Sequence, residues 1–555
     1  MTPHFPAMPG PAPQLGVGFD LSWGNGFVAH PAGDHAHPAV KRFLADHHDR
    51  FAHVFVSWQP RSRGAHTLDL YRPAWDDLFA NLQGYPVRAL HQTALNLAGA
   101  RYDRDAILDL TNALVARYGL RWVNEDLGYW SLDGRPLPYP LPPPLTDAGL
   151  DLVVANTVAC REALCVPLVV EFPGFSDAYS LVIGDWDAYD FFREAVQRAN
   201  VPCTLDVGHL LSWRWLRGHR GPALLEGLER LPLAHCFEVH LSGVQLDGER
   251  FVDAHHGVLI PAQHALLDRL RALCPNLRAV TYEDPRFDTA GQLAASNQSS
   301  LRTLIEQMAT PVAPETLPAP RPRPTSTSAD IDPFDLECAL DRCLRDPAHH
   351  ATLTAPHPLA DLHAADVATL GLEVRGSLAR RPSLGQPSLH ERFAPLFEAW
   401  RIAHPSDPNG LLAAFGAHPA GSRWSDDDPA RPCLEQALFD FALELHLIDP
   451  EVLRQCFYTS LFHTLAIDPT PRFRVPEWVE GGPGDYRFVD PGPPCRLYAV
   501  AGTRVICGPL PALAADVLAG HTDDAIEARH GLQPGGVRPV RAKLEAIGLH
   551  TQPAS

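Results

Sequence analysis

No run of about eighteen consecutive apolar residues occurs in this 555-residue chain, so no membrane-spanning helix is expected. The opening stretch, Met1 to Gln14, is rich in proline and has no apolar core behind a basic flank, so no secretory signal is expected either. Cations are scarce: 46 Lys and Arg against 65 Asp and Glu leave a net charge of −19. That balance excludes a general nucleic-acid binder, which needs a basic surface. The 11 cysteines form no Cys-x-x-Cys pair. In a long chain without a signal they read as reduced, mostly buried thiols of a cytoplasmic protein. No internal repeat is visible. Histidine, by contrast, is abundant at 28, which makes a metal site worth seeking.

A chain of this length exceeds one ordinary core, and two or three domains are expected. The stretch Thr310–Pro333, TPVAPETLPAPRPRPTSTSADIDP, is nearly free of large apolar side chains and reads as an extended linker over 310–333. Before it, residues 1–309 alternate short apolar runs with helical patterns. The runs are Leu15–Leu21, Ala52–Trp58, Val87–Gln92, Arg121–Asp126, Pro167–Phe172, Cys203–Gly208, Cys236–Leu241 and Ala279–Asp284. Strands alternating with helices imply parallel β/α units, and eight of them predict a closed (β/α)8 TIM barrel, an α/β fold. After the linker, Leu389–Ala403 and Cys433–Ile448 show helical spacing, predicting a mostly helical domain over 334–490. The last stretch, 491–555, reads as a hairpin over Cys495–Gly508 turning at Ala501 and Gly502, then three short helices. That order outlines a small winged-helix-like α+β module.

Nearly every predicted barrel strand ends in a metal-ligand type of side chain: His91 on the third, Glu125 and Asp126 on the fourth, Glu171 on the fifth. Asp206 closes the sixth, with His209 just beyond. Glu238 and His240 lie on the seventh, with Asp253 and His255 in the loop after it, and Glu283 and Asp284 close the eighth. In this fold the C-terminal strand ends converge on one mouth, so residues remote in sequence become neighbours there. Mixed imidazoles and carboxylates suit Fe, Mn or Zn, and a carboxylate can bridge two ions. Two local pairs sharpen the signal. Asp206 and His209 flank Gly208 on a strand-to-loop turn, where glycine lets the chain bend. Asp253 and His255 alternate, so an extended chain would point both to one side. Other readings stand beside these: Asp126 and Asp284 as helix N-caps, and Glu238 as an orienter of His240 rather than a ligand. His235 and His256 read as bystanders, and His30–Pro38 as a solvated loop.

These blocks carry a family resemblance. HQTALNL, VNEDLGYWS, LVVEFPGF, TLDVGHLLSW, CFEVHLSGV, FVDAHHGVL and TYEDPRF, in that order between Gly16 and Ile305, resemble the signatures of the multinuclear non-haem iron-dependent oxidases. That family shares the xylose-isomerase-like barrel, and its members act on ribosomally made precursor peptides. Many of them oxidise cysteine with dioxygen, often beside a small peptide-binding partner protein. The resemblance implies metal ligation by His91, Asp126, Glu171, His209, His240, Asp253, His255 and Glu283, with Asp206 and Glu238 as catalytic groups beside them. It assigns His240, Asp253 and Glu283 to one iron and His209 and His255 to a second, bridged by Glu171. His91 and Asp126 are the positions left for a third. The chain departs from the pattern in having His209 where the family has Asn, no His in DLSWGNG after the first strand, and Asp126 where the family has His. The lost imidazoles make two irons the expectation. Residues from about Arg496 to His550 are similar to the winged-helix peptide-recognition domains of peptide-modifying enzymes.

The reading that follows is an iron-dependent oxidase modifying a precursor peptide. A redox-neutral isomerase or epimerase on a small sugar fits Asp206, Gly208, His209 and Glu283 equally well. A non-catalytic scaffold is the third class. Iron, Mn or Mg, or no metal in purified protein would separate the three.

Overall fold

The computed structural model describes residues 3–10, 12–19, 38–58, 68–132, 135–175, 181–247, 250–288, 292–316, 331–345, 347–364, 366–367, 370–371, 392–405, 411–422, 424, 430–467, 473–482, 485–492, 494–501 and 504–549. The chain forms two compact units that divide around residues 371–386.

The first unit is a closed parallel barrel. Its strands are β1 (Gln14–Phe19), β2 (His53–Trp58), β3 (Val87–Gln92), β4 (Val123–Asp126), β5 (Leu168–Glu171), β6 (Cys203–Asp206), β7 (Cys236–Leu241) and β8 (Ala279–Glu283). They close in sequential order, with β1 paired to both β2 and β8. Every run read from the sequence therefore lies in the barrel; the tail of the first, residues 20–21, lies outside the described residues, as does most of His30–Pro38. Such strands are covered on both faces, which is why β7 is buried from end to end and reads as an unbroken run rather than an alternation. Local chemistry fixes the intervening helices. Thr146 caps Asp147–Ala163 by accepting from Gly149 N, and Gly119, at φ 66°, ends Asp105–Tyr118 in the left-handed conformation.

Two antiparallel hairpins interrupt the β/α alternation, and the sequence reading missed both. Tyr129–Leu132 pairs with Arg135–Leu141 after β4, and Val244–Asp247 pairs with Arg250–Asp253 after β7. No helix begins at Asp126 or Asp284, so neither residue is an N-cap. The helix Pro333–Arg345, expected in the separate helical domain, sits with the barrel unit. Its buried Glu337 accepts from Ala100 N at 2.6 Å, and Arg101 lies 4.6 Å over the Phe334 ring. It thereby pins the loop that follows β3.

The second unit holds helices Ala394–Ala403, Leu434–Leu445 and Pro450–Ile467 and a four-stranded antiparallel meander: β9 (Glu480–Gly482), β10 (Asp485–Asp490), β11 (Arg496–Ala501) and β12 (Arg504–Pro509). The expected hairpin is present, with Ala501 opposite Arg504. It is half of a larger sheet, however, whose other strands precede residue 491. Along β11 the side chains alternate between two cores. Tyr498 and Val500 pack among the long helices, with Phe441, Leu461 and Phe462. Leu497 and Ala499 pack against the short helices Ala512–Leu518, Asp523–His530 and Arg538–Ala546, with Val517, Ile526 and Leu544. Among the described residues no helix is long and apolar enough to cross a membrane.

Candidate metal centre

The C-terminal ends of β3 to β8 converge, and with them the side chains singled out from the sequence. His91 Nε2 lies 3.2 Å from Glu171 Oε2 and 3.9 Å from Asp126 Oδ2. His240 Nδ1 lies 3.1 Å from Glu171 Oε2 and 2.7 Å from Glu283 Oε1. His209 Nε2 and His255 Nε2 approach Asp253 Oδ2 at 3.0 and 3.2 Å. His255 Nδ1 is 3.4 Å from Asp284 Oδ2. Four overlapping sets have donor atoms within 4.8 Å of one another: His91, Glu171 and His240; His209, Asp253 and His255; Asp126, Glu171 and His209; Asp206, His240 and Glu283. The geometry groups Asp253 with His209 and His255, whereas the resemblance assigned it to His240 and Glu283. Glu171 is shared between sets, as a bridging carboxylate must be.

Local structure explains the convergence, in two places differently from the sequence argument. His255 adopts φ 41°, so the Asp253–His255 segment is kinked, not extended. The close pair arises because Asp253 ends a hairpin strand and the next turn folds His255 back beside it. Asp206 does not open a loop. It caps the helix Val207–Leu216 directly, accepting from His209 N at 2.7 Å. Gly208 serves by its missing side chain: a Cβ there would sit 3.0 Å from Asp206 Oδ1 and 3.3 Å from Asp253 Oδ1. His209 Nδ1 donates to the Phe172 carbonyl at 2.7 Å, which leaves Nε2 to face Asp253.

Further residues shape the site. Asn124 donates to Glu171 Oε2 and accepts from Thr204 Oγ1 at 2.8 Å, which steadies the shared carboxylate. The signal for Asn124 lay only in its inward register on β4. Glu125, read among the strand-end ligands, faces another way. It accepts from the backbone N–H groups of Ala94 and Leu95 at 2.9 to 3.2 Å and orders the loop behind His91. Arg104 holds the same loop through the carbonyls of Leu95, Asn96 and Gly99. His235 bonds the Val201 carbonyl and His256 accepts from Val258 N, as bystanders would.

The site is strongly charged and nearly dry. His240 and Glu238 are fully buried, and Asp206 is 1% exposed. Burial opposes the charged form of His240, but Glu171, Glu283 and Glu238 together hold its pKa well above the ordinary value. His209 is likewise raised, against burial, by Asp206, Asp253 and Glu171. Burial raises Glu171 less than His240 and His91 lower it, so it stays well below the usual range. Burial pushes Asp206 up to about 7 against the pull of His209, and its Oδ2 has no hydrogen-bond partner among the described residues. Carboxylates outnumber imidazoles in a dry pocket, and such groups are costly to bury unless paired or coordinating a metal. His240 Nδ1, although close to two carboxylate oxygens, makes no aligned hydrogen bond with either. The donor set fits a cation, and its nitrogen and oxygen mixture fits a transition metal.

A UPF0276 protein of Rhizobium meliloti is 28% identical over 197 residues, 35% of this chain and 62% of that protein. The chain thus spans less than two thirds of that relative. A UPF0276 protein of Paraburkholderia phytofirmans is 28% identical over 217 residues, covering 37% of this chain and 67% of the relative. Among solved structures, a xylose isomerase-like TIM barrel protein from Mycobacterium smegmatis in complex with magnesium is 14% identical. It covers 55% of this chain and 98% of its own, at a TM-score of 0.35. Endonuclease IV from Thermus thermophilus is 15% identical over 53% of this chain, at 0.33. Residues 72–300 match the family model of the RiPP precursor modification enzyme MbnB/TglH/ChrH, so across them the resemblance read from the sequence is borne out: the barrel is similar to enzymes that modify ribosomally made precursor peptides.

Proposed function

We propose that this chain is an iron-dependent oxidase that modifies a ribosomally synthesised precursor peptide at cysteine, with dioxygen as the oxidant. The observation that carries the reading is the group of overlapping His and carboxylate sets at one barrel mouth, joined by Glu171. His91, Glu171 and His240 would hold one ion, with Glu283 at the same His240 nitrogen as Glu171. His209, Asp253 and His255 would hold the other, and Asp126 lies between them beside Glu171 and His209. Iron bound by such donors with open positions supplies one-electron chemistry with dioxygen and a seat for a thiolate. The chain's own residues do the rest. Asp206 exchanges a proton near neutral pH in the metal-free pocket, and its unpartnered Oδ2 offers a place for the proton of a substrate thiol. The dry walls around His240 keep water from competing with the peptide.

The second unit would recognise the precursor, raising its concentration at the barrel mouth. Strand addition is the mode a sheet edge offers. Because β11 is paired on both sides, CRLYAV is closed to a peptide; of the two edge strands, β9 and β12, the longer β12 would take it.

The test is to load anaerobically purified protein with Fe(II), add a co-encoded precursor peptide and dioxygen, and follow the peptide by mass spectrometry. A mass change located to cysteine supports the proposal. An unaltered peptide, with Mn- or Mg-dependent turnover of a sugar instead, would move the chain to the isomerase class.

A further inference from the structure

Beneath the metal-ligand cluster lies a second polar layer, fully buried, of which only Glu238 was singled out from the sequence. It comprises His53 on β2, Trp122 just before β4, Glu238 on β7 and Thr281 on β8. Glu238 Oε2 accepts from Trp122 Nε1 at 3.0 Å, and Glu238 Oε1 accepts from Thr281 Oγ1 at 2.5 Å. A hydroxyl has one proton, and Thr281 spends it on Glu238. Toward His53, 2.8 Å away, Thr281 Oγ1 must therefore accept, so the hydrogen of His53 is on Nε2. Its Nδ1 has no hydrogen-bond partner among the described residues. The first strand makes room for this ring: a Cβ on Gly16 would lie 2.1 to 2.3 Å from His53 imidazole atoms.

The layer meets the cluster at a single ring. His240 Nε2 lies 3.2 Å from Glu238 Oε1, while Nδ1 faces Glu171 and Glu283; neither nitrogen makes an aligned hydrogen bond, so Glu238 acts on the ring by its charge and closeness. A carboxylate held by two other donors can act toward Nε2 only as an acceptor. With a cation on the Nδ1 side, Glu238 favours the proton on Nε2 and leaves the Nδ1 lone pair to the cation.

Resting on the metal-centre reading above, we propose that Trp122, Thr281 and His53 are positioning residues. They fix Glu238 so that His240 offers Nδ1, rather than Nε2, to the metal. None touches the site itself. They act through Glu238, as outer partners of ligating histidines do, and their loss costs about 10–100-fold in metal affinity in comparable sites.

The test uses the full chain and Co(II) as probe. Binding is followed by the visible absorption of the bound ion, with thermal unfolding measured on metal-free and metal-loaded protein. Trp122→Phe and Thr281→Val each remove one donor to Glu238. Each should weaken Co(II) binding about 10-fold or more and shift the absorption bands, while Thr281→Ser, which keeps the hydroxyl, should bind as the parent does. Nitrogen-15 spectra of labelled histidine in the metal-loaded parent should report His240 bound through Nδ1. If both variants bind with parental affinity and spectrum and lose only thermal stability, equally with and without metal, these residues are structural and the proposal fails. If the parent itself binds neither Co(II) nor Fe(II), the metal-centre reading falls with it.

Discussion

His240 is the residue on which the site turns, since Glu171, Glu283 and Glu238 all approach it within 3.2 Å. Replacing it with Ala, or Asp253 and His255 together, should remove most bound metal, measured as ions per chain after anaerobic loading. Full metal content in either variant would make these side chains structural. Protonation gives a second check. The raised pKa values of His240 and His209 mean that the metal-free pocket stabilises charged imidazoles. That contribution is fully present below the ordinary value of about 6.5 and is lost as pH rises through the raised values. A metal requires the neutral ring, so it must displace those protons. Apparent affinity should therefore climb with pH from about 6.5 up through the raised values, with proton release on binding. Calorimetry in buffers of different ionisation enthalpy measures that release, and a pH-independent affinity would contradict the ligand assignment. At this scale the sequence was legible wherever chemistry sits at a strand end. It was silent on Asn124, Trp122 and Thr281, whose roles arise only from facing inward beside a partner remote in sequence.

Elements hold these residues still. The loop after β3 has no regular structure of its own and is tied from two sides: Glu125 takes its N–H groups and Arg104 its carbonyls. Glu125→Ala leaves buried donors unpaired and should cost about 2–4 kcal/mol, whereas Glu125→Gln keeps an acceptor and should cost less. Urea unfolding of the two variants gives the comparison, and equal, negligible losses would show the loop to be held by other contacts. Strand positions were legible because apolar runs of that length between helical patterns have one outcome in a parallel barrel. The two hairpins were not. The strand Arg250–Asp253 is only four residues long and isolated from the barrel sheet, so no periodicity announced it, and its role in delivering Asp253 appeared only in space.

Across the whole molecule, the proline-rich stretch misled as a boundary. The chain resumes at Pro333 as a helix of the barrel unit, because Leu336, Leu340 and Leu344 are buried there and Glu337 meets Ala100. A protein cut between Gly371 and Arg392 should keep its metal and lose recognition of a precursor peptide, measured by metal analysis and by peptide binding. A cut after Asp490 should do worse. It removes Tyr498 and Val500 from the core around Phe441 and Leu461, and circular dichroism should record lost helix as well as lost sheet. Retention of full helical signal would show that this core closes without β11. The same strand has a calorimetric consequence. Since Leu497 and Ala499 serve one core and Tyr498 and Val500 the other, the long helices and the short ones share one wall. Neither can melt while the other stays intact, so the second unit should absorb its heat of unfolding in one sharp peak rather than two.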